Sequence, residues 1–139
     1  MPRDPMKTVS RLRHLAQDDA RQALAQALAT EATAAARAEH AARRIAEEQA
    51  AASSVSGNDT VVEAFAAWLP GARQTAAKAR ETCDRAGAEV ARMRAILTAS
   101  RAATEAVDTL MAQRAEKQAE DRARRIQADL DDAGRPRTE

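Results

Sequence analysis

From Phe65 to Met111 one position in every three or four stays apolar with unusual regularity. At spacings that alternate between four and three, the chain reads Phe65, Leu69, Ala72, Ala76, Ala79, Cys83, Ala86, Val90, Met93, Leu97, Ser100, Thr104, Val107 and Met111. Only Ser100 and Thr104 interrupt the stripe. A 4-3 repeat kept this long marks a helix whose seam faces another helix. The rest of the chain must therefore supply that partner, or a handle on the helix end.

The first half has the material for a partner. Asp4-Pro5 is a good helix start, with Asp able to cap and Pro suited to the first helical position. From there to about Ser53 neither Gly nor Pro intervenes. The larger apolar residues are Met6, Val9, Leu12, Leu15, Leu24, Leu28 and Ile45, and Ala35, Ala38 and Ala42 keep the rhythm between Leu28 and Ile45. Between Leu15 and Leu24 the phase slips, as where a coiled coil is locally rewound. The stretch Ser53-Ser-Val-Ser-Gly57-Asn58-Asp59 reads as the turn. Thr60-Val-Val-Glu63 has the pattern of a capping box, which starts a new helix at about Val61. Pro70 falls inside that helix, where a proline loses a hydrogen bond and crowds the preceding turn. Because the stripe keeps its phase across it, we expect a kink there, not a break. Gly134-Arg-Pro136 ends the helix near Asp132.

These elements predict an all-α fold: an antiparallel two-helix coiled-coil hairpin with an overhanging C-terminal helix, forming one domain over residues 1–139. Helix one covers about 5–53, the turn about 54–60, helix two about 61–132 with a kink near Pro70, and a tail 133–139. Helix one offers roughly 50 residues, or ~75 Å at the α-helical rise, enough to cover helix two only as far as about Val107–Met111. The 4-3 stripe ends there too, since the next positions in phase, Arg114, Gln118, Asp121 and Arg125, are polar. Beyond it runs a thinner stripe of Ala119, Ala123, Ile126 and Leu130. A stripe without an internal partner is a candidate binding face.

Composition narrows the function. There is one Phe, one Trp and no Tyr, and alanine makes up most of the apolar fraction. An alanine methyl contributes far less than the ~1.5–3 kcal/mol of a buried Leu, Val or Phe, so a partner is expected to belong to the working state. The net charge of +1, with acids and bases interspersed, weighs against nucleic-acid binding. No apolar run approaches the ~20 residues of a membrane span, and the N-terminus has no signal core. His14 and His40 stand far apart, no phosphate loop or metal-ligand spacing occurs, and Cys83 sits on the seam as a small hydrophobe. No catalysis, metal or cofactor is expected.

Two groups of side chains remain. Arg122, Arg124 and Arg125 are the densest basic cluster, either a solvated face balanced by Glu120, Asp121 and Asp129 or a contact for a protein partner. Val61, Val62, Phe65, Trp68 and Leu69 form the one patch of large side chains. They either plug the hairpin end against Ile45 and Val55 or anchor a partner, and Trp68 lies on the seam's flank.

At these residues the chain resembles the FliJ family of flagellar export proteins. The similarity spans its length, its long-helix hairpin pattern and its overhanging C-terminus. Phe65-x-x-x-Leu69-x-x-Ala72 has the spacing of that family's patch for the export gate, although Ala76 stands where the family often has a polar residue and Pro70-Gly71 falls inside the motif. Glu116-Lys117-Gln118-Ala-Glu120-Asp121 is similar to the family's charged segment, and Leu12-Arg13-His14-Leu15-Ala16 to its opening. The resemblance implies a non-enzymatic stalk of the flagellar type III protein export apparatus, serving flagellum biogenesis, motility and chemotaxis. It would be cytoplasmic and peripherally associated with the inner membrane at the flagellar base. Implied partners are the hexameric export ATPase, the cytoplasmic domain of the export gate membrane protein, and export chaperones. Leu12, Leu15, Arg122, Arg124, Arg125, Ile126 and Leu130 would meet the ATPase ring. Phe65, Leu69 and Ala72 would meet the gate, with Trp68 added from its position on the flank. The alternatives are a self-associating coiled-coil scaffold and a nucleic-acid-associated helical protein.

Overall fold

The computed structural model describes residues 4–54 and 58–135, and these form an all-α helical hairpin of two long helices, α1 (Pro5–Ser54) and α2 (Asp59–Ala133). The ends follow from local chemistry. Asp4 caps α1, its carboxylate accepting the Met6 N–H at 3.0 Å while its carbonyl takes the first helical bonds from Lys7 and Thr8. α2 starts two residues before the expected Val61. Its first bonds run from the Val61 and Val62 N–H groups to the Asn58 carbonyl, so Asn58 occupies the cap position, and Thr60 of the anticipated capping box already lies in the first turn. Asn is as good a cap as Thr, and Asp59 adds an acid to the positive end of the helix. At the other end the Gly134 N–H closes on the Leu130 carbonyl at 3.0 Å. Val55, Ser56 and Gly57 of the expected turn, and the tail from Pro136, lie outside the described residues.

Pro70 sits within a continuous α2, so the helix is not split there. Pro70 and Ala66, whose carbonyl loses its usual donor, are both exposed. At an exposed position the carbonyl that a helix-interior proline frees is open to hydration.

The chain divides into two compact units. The first joins the start of α1, up to Asp18, to α2 from Ala99 onward. The second is Asp19–Thr98. In both, rising numbers on α1 meet falling numbers on α2, as antiparallel packing requires. In the first unit the Thr104 hydroxyl donates to the Arg13 carbonyl at 3.3 Å, and Asp108 accepts from Ser10 at 3.3 Å. In the second, Glu31 packs against Gly87 and Arg44 lies over Trp68.

The α2 seam is as the 4-3 pattern requires. Every position from Phe65 to Met111 in that series is half-buried or buried, including Cys83 and the two polar members. Thr104 is only 4% exposed; its hydroxyl is shared between the Ser100 and Arg13 carbonyls, so the interruption carries its own hydrogen bonds.

The α1 seam differs from the expectation. Its covered residues are Met6, Ser10, Gln17, Ala20, Leu24, Ala27, Glu31, Ala34, Ala38, Ala41, Ile45 and Ala52, which hold a single 4-3 phase with Arg13 and Glu48 in phase but exposed, and Ala23 on the flank beside Leu24. No slip occurs between Leu15 and Leu24. Val9, Leu12, Leu15 and Leu28 are exposed, as are Ala35 and Ala42. The reason is complementary size. The Glu31–Gly87 contact sets a register in the second unit that brings Ala27 level with Val90, and Ala20 level with Leu97. The larger α2 side chains are accommodated by methyl groups, and all four residues are buried.

Candidate partner-binding site

Three surfaces stand apart from the seam. In the second unit, Phe65 and Trp68 contact each other at 5.9 Å between ring centroids, tilted by 40°. The Arg44 guanidinium lies 5.7 Å from the Trp68 ring centre, within range of a cation–π contact. Trp68 stands between two open hollows. One, of about 420 Å³, is lined by Glu48, Ala51, Ala52, Val61, Ala64 and Phe65 together with Arg44 and Trp68. The other, of about 360 Å³, has His40, Ala41, Gly71, Ala72 and Thr75 around the same Arg44–Trp68 pair. Of the expected gate residues, Phe65 and Trp68 thus come together, and Ala72 joins Trp68 in the second hollow. Leu69 stays on the seam, half-buried, and lines neither. Arg44 is the residue the sequence reading missed. The signal for it was available, since Arg44 directly precedes the seam residue Ile45 and so occupies the same flank as Trp68.

In the first unit, α2 continues past the end of the seam. Every described residue from Ala112 onward is exposed, with Ile126 and Leu130 at 61% and 62%. Gln118, Asp121, Arg122 and Arg125 edge a shallow hollow, and the Arg122 side chain donates back to the Gln118 carbonyl at 3.3 Å. Arg124 is exposed as well. Leu12 and Leu15 were expected to join this group, and the structure keeps them away from it. The Thr104–Arg13 bond fixes them level with the residues around Thr104, about 30 Å along the helix from Ile126 at 1.5 Å per residue. The seven expected ATPase-ring residues therefore form two separate sets.

Leu12 and Leu15 belong instead to the third surface. At 59% and 53% exposure, they lie with Val9 and Ala16 on one side of α1. Ala102, Ala106 and Leu110 lie on the matching side of α2, all exposed. No charged side chain falls among these positions. The charges of this unit gather on the other side of the seam, where His14 Nε2 approaches Asp108 at 3.2 Å and Ser10 donates to the same carboxylate. Sequence reading grouped Leu12 and Leu15 with the overhang residues expected to meet the ATPase ring and so overlooked this face.

Elsewhere the exposed charges pair locally along the helices: Arg43 with Glu39, Arg85 with Glu81, and Arg92 with Glu89. The Arg92 guanidinium hydrogen-bonds Glu89 and holds its carboxyl below the usual range, while Glu89 raises Arg92 in turn. Among the described residues no group of three or more His, Cys, Asp or Glu could hold a metal ion, and no helix is long and apolar enough to cross a membrane. No family model, curated protein or solved structure matches the chain.

Proposed function

We propose that this protein is a non-enzymatic coupling component of the flagellar type III protein export apparatus. The carrying observation is the overhang. A helix that has outrun its own partner keeps its helical form to Ala133 and leaves Ile126 and Leu130 exposed beside Arg122, Arg124 and Arg125. Exposed aliphatic side chains flanked by arginines suit the inner wall of a ring-shaped protein partner, here the hexameric export ATPase. The Phe65–Trp68 pair under Arg44, with a hollow on each side, is the second anchor, and its partner in this reading is the cytoplasmic domain of the export gate protein. Export chaperones complete the set of partners, and the protein works at the flagellar base without spanning the membrane.

The test uses the purified chain with the cognate export ATPase. The chain alone hydrolyses no ATP and raises the ATPase rate of the ring, while I126D/L130D abolishes the stimulation and leaves helicity unchanged. If the wild-type chain neither binds nor stimulates that ATPase, the reading fails. A second reading, a self-associating coiled-coil scaffold, is favoured by the uncharged face of the first unit, which a second copy could meet without charge repulsion. Sedimentation separates the two. A tight homo-oligomer that L12E/L110E dissolves, together with no effect on the ATPase, supports the scaffold.

A further inference from the structure

The second unit carries a row of arginines that its own acids do not neutralise. On α2 the residues directly after the seam positions Ala72, Ala79, Ala86 and Met93 are Arg73, Arg80, Gly87 and Arg94. Residues seven apart on a helix lie on one side, about 10.5 Å from one another. The three arginines are exposed, and none makes an ion pair among the described residues. Arg43, Arg85 and Arg92 each pair with a Glu three or four residues away. Arg73 and Arg94 have no acid at those spacings, and Asp84, four residues beyond Arg80, is not engaged by it.

The surface beside the row is apolar. The matching side of α1 bears Leu28, Ala35 and Ala42, all exposed. Where the two helices meet there, Ala38, Ala42, Ile45, Ala76 and Ala77 floor an open groove of about 180 Å³ whose edge is formed by Arg73 and Arg80. Three acids stand on this side of the seam, and none pairs with the row: Glu39 is taken by Arg43, Asp84 is not engaged by Arg80, and Glu31 packs against Gly87.

We infer that this groove is a docking site for an acidic amphipathic helix of a partner protein, which would complete a three-helix bundle. Charge selects the occupant. Three unpaired arginines in single file call for carboxylates at matching seven-residue intervals, and the alanine floor calls for an aliphatic stripe between them. A nucleic acid would use the arginines and leave the floor uncovered. A second copy of this chain offers no run of acids at that interval. Gly87 leaves the middle of the row without a side chain, so an incoming helix can approach closely over Glu31. This site is independent of the overhang and of the Phe65–Trp68 anchor.

The experiment uses the full chain and a labelled, 24-residue helical probe peptide, with leucines and alanines in a 4-3 stripe and Glu at one flanking position of every heptad. A twin peptide has Lys in place of Glu. Fluorescence anisotropy at low salt is expected to show binding of the Glu peptide only, weakening as salt rises. R73E/R80E/R94E should weaken the Glu peptide by about tenfold or more, the scale of three exposed ion pairs acting together, and should acquire binding of the Lys peptide. Circular dichroism checks that the variant stays helical, and R73Q/R80Q/R94Q, expected to lose the Glu peptide without gaining the Lys peptide, decides the matter if it does not. The inference is overturned if the wild-type chain fails to bind the Glu peptide, if it binds both peptides equally, or if a DNA duplex displaces the Glu peptide from it while the Gln variant binds the peptide undiminished.

Discussion

Two glycines show how differently the same residue can stand in this helix. A Cβ built on Gly71 meets nothing within 4 Å, whereas one on Gly87 comes to 3.3 Å from the Glu31 carboxylate. Glycine costs a helix interior about 1 kcal/mol relative to alanine. Gly71→Ala should therefore stabilise the protein by about that amount in thermal melts followed by circular dichroism. Gly87→Ala should gain less, because Glu31 must give way. Glu89 makes the corresponding point for charge. Its carboxyl is held low by Arg92, so the pair's contribution is present above the ordinary carboxylate range and is lost as pH falls through the folded value. Glu89→Gln should lower the melting temperature slightly at neutral pH, and the gap from wild type should close as the pH is taken below that range. Both groups are exposed, so the effect is small.

Among the elements, α2 was legible almost residue by residue and α1 was not. Phe65, Leu69, Val90, Met93, Leu97, Val107 and Met111 are large enough to declare the phase. On α1 the large residues misled, because Val9, Leu12, Leu15 and Leu28 point away from the seam while Ser10, Gln17 and Glu31 lie on it. The informative residues were the small ones: Ala20, Ala27, Ala34 and Ala41 recur every seven positions and are covered. Size ranking hides such a seam, since burial of an alanine is set by the bulk of what it faces. The candidate sites were read with the same unevenness. Phe65 meets Trp68, and Ile126 and Leu130 lie exposed on the overhang, but Leu12 and Leu15 stand apart from the overhang residues they were grouped with, and Arg44 was missed. Pro70 tests the element directly. It lies exposed within a continuous helix, so Pro70→Ala should raise stability, by up to about 3 kcal/mol on the intrinsic scale. A denaturant titration that finds Pro70→Ala neutral or destabilising would mean that the proline relieves strain elsewhere in α2.

For the molecule as a whole, the helix seam covers only part of α2. The covered seam ends at Met111, and every described residue beyond it is exposed. Truncation after Ala112 should lower the helical signal in proportion to the residues removed and leave the unfolding midpoint of the remaining hairpin within about 1 kcal/mol of the parent, as expected for surface positions. A large loss of stability would assign the overhang a role in folding. The first unit has an uncharged side and the second an arginine row, so a chain with a net charge of only +1 still carries surfaces of distinct character.

The alanines that recur every seven residues along α1 have a mechanical consequence. A slide of one heptad, about 10.5 Å, would bring each of them against a seam residue much as before, so apolar packing distinguishes poorly between neighbouring registers. The distinction falls to contacts that do not repeat: Thr104 on the Arg13 carbonyl, Ser10 and His14 on Asp108, and Glu31 over Gly87. Between the two helices the alanines act as a rail, and those few polar contacts are the pawls that stop it from slipping.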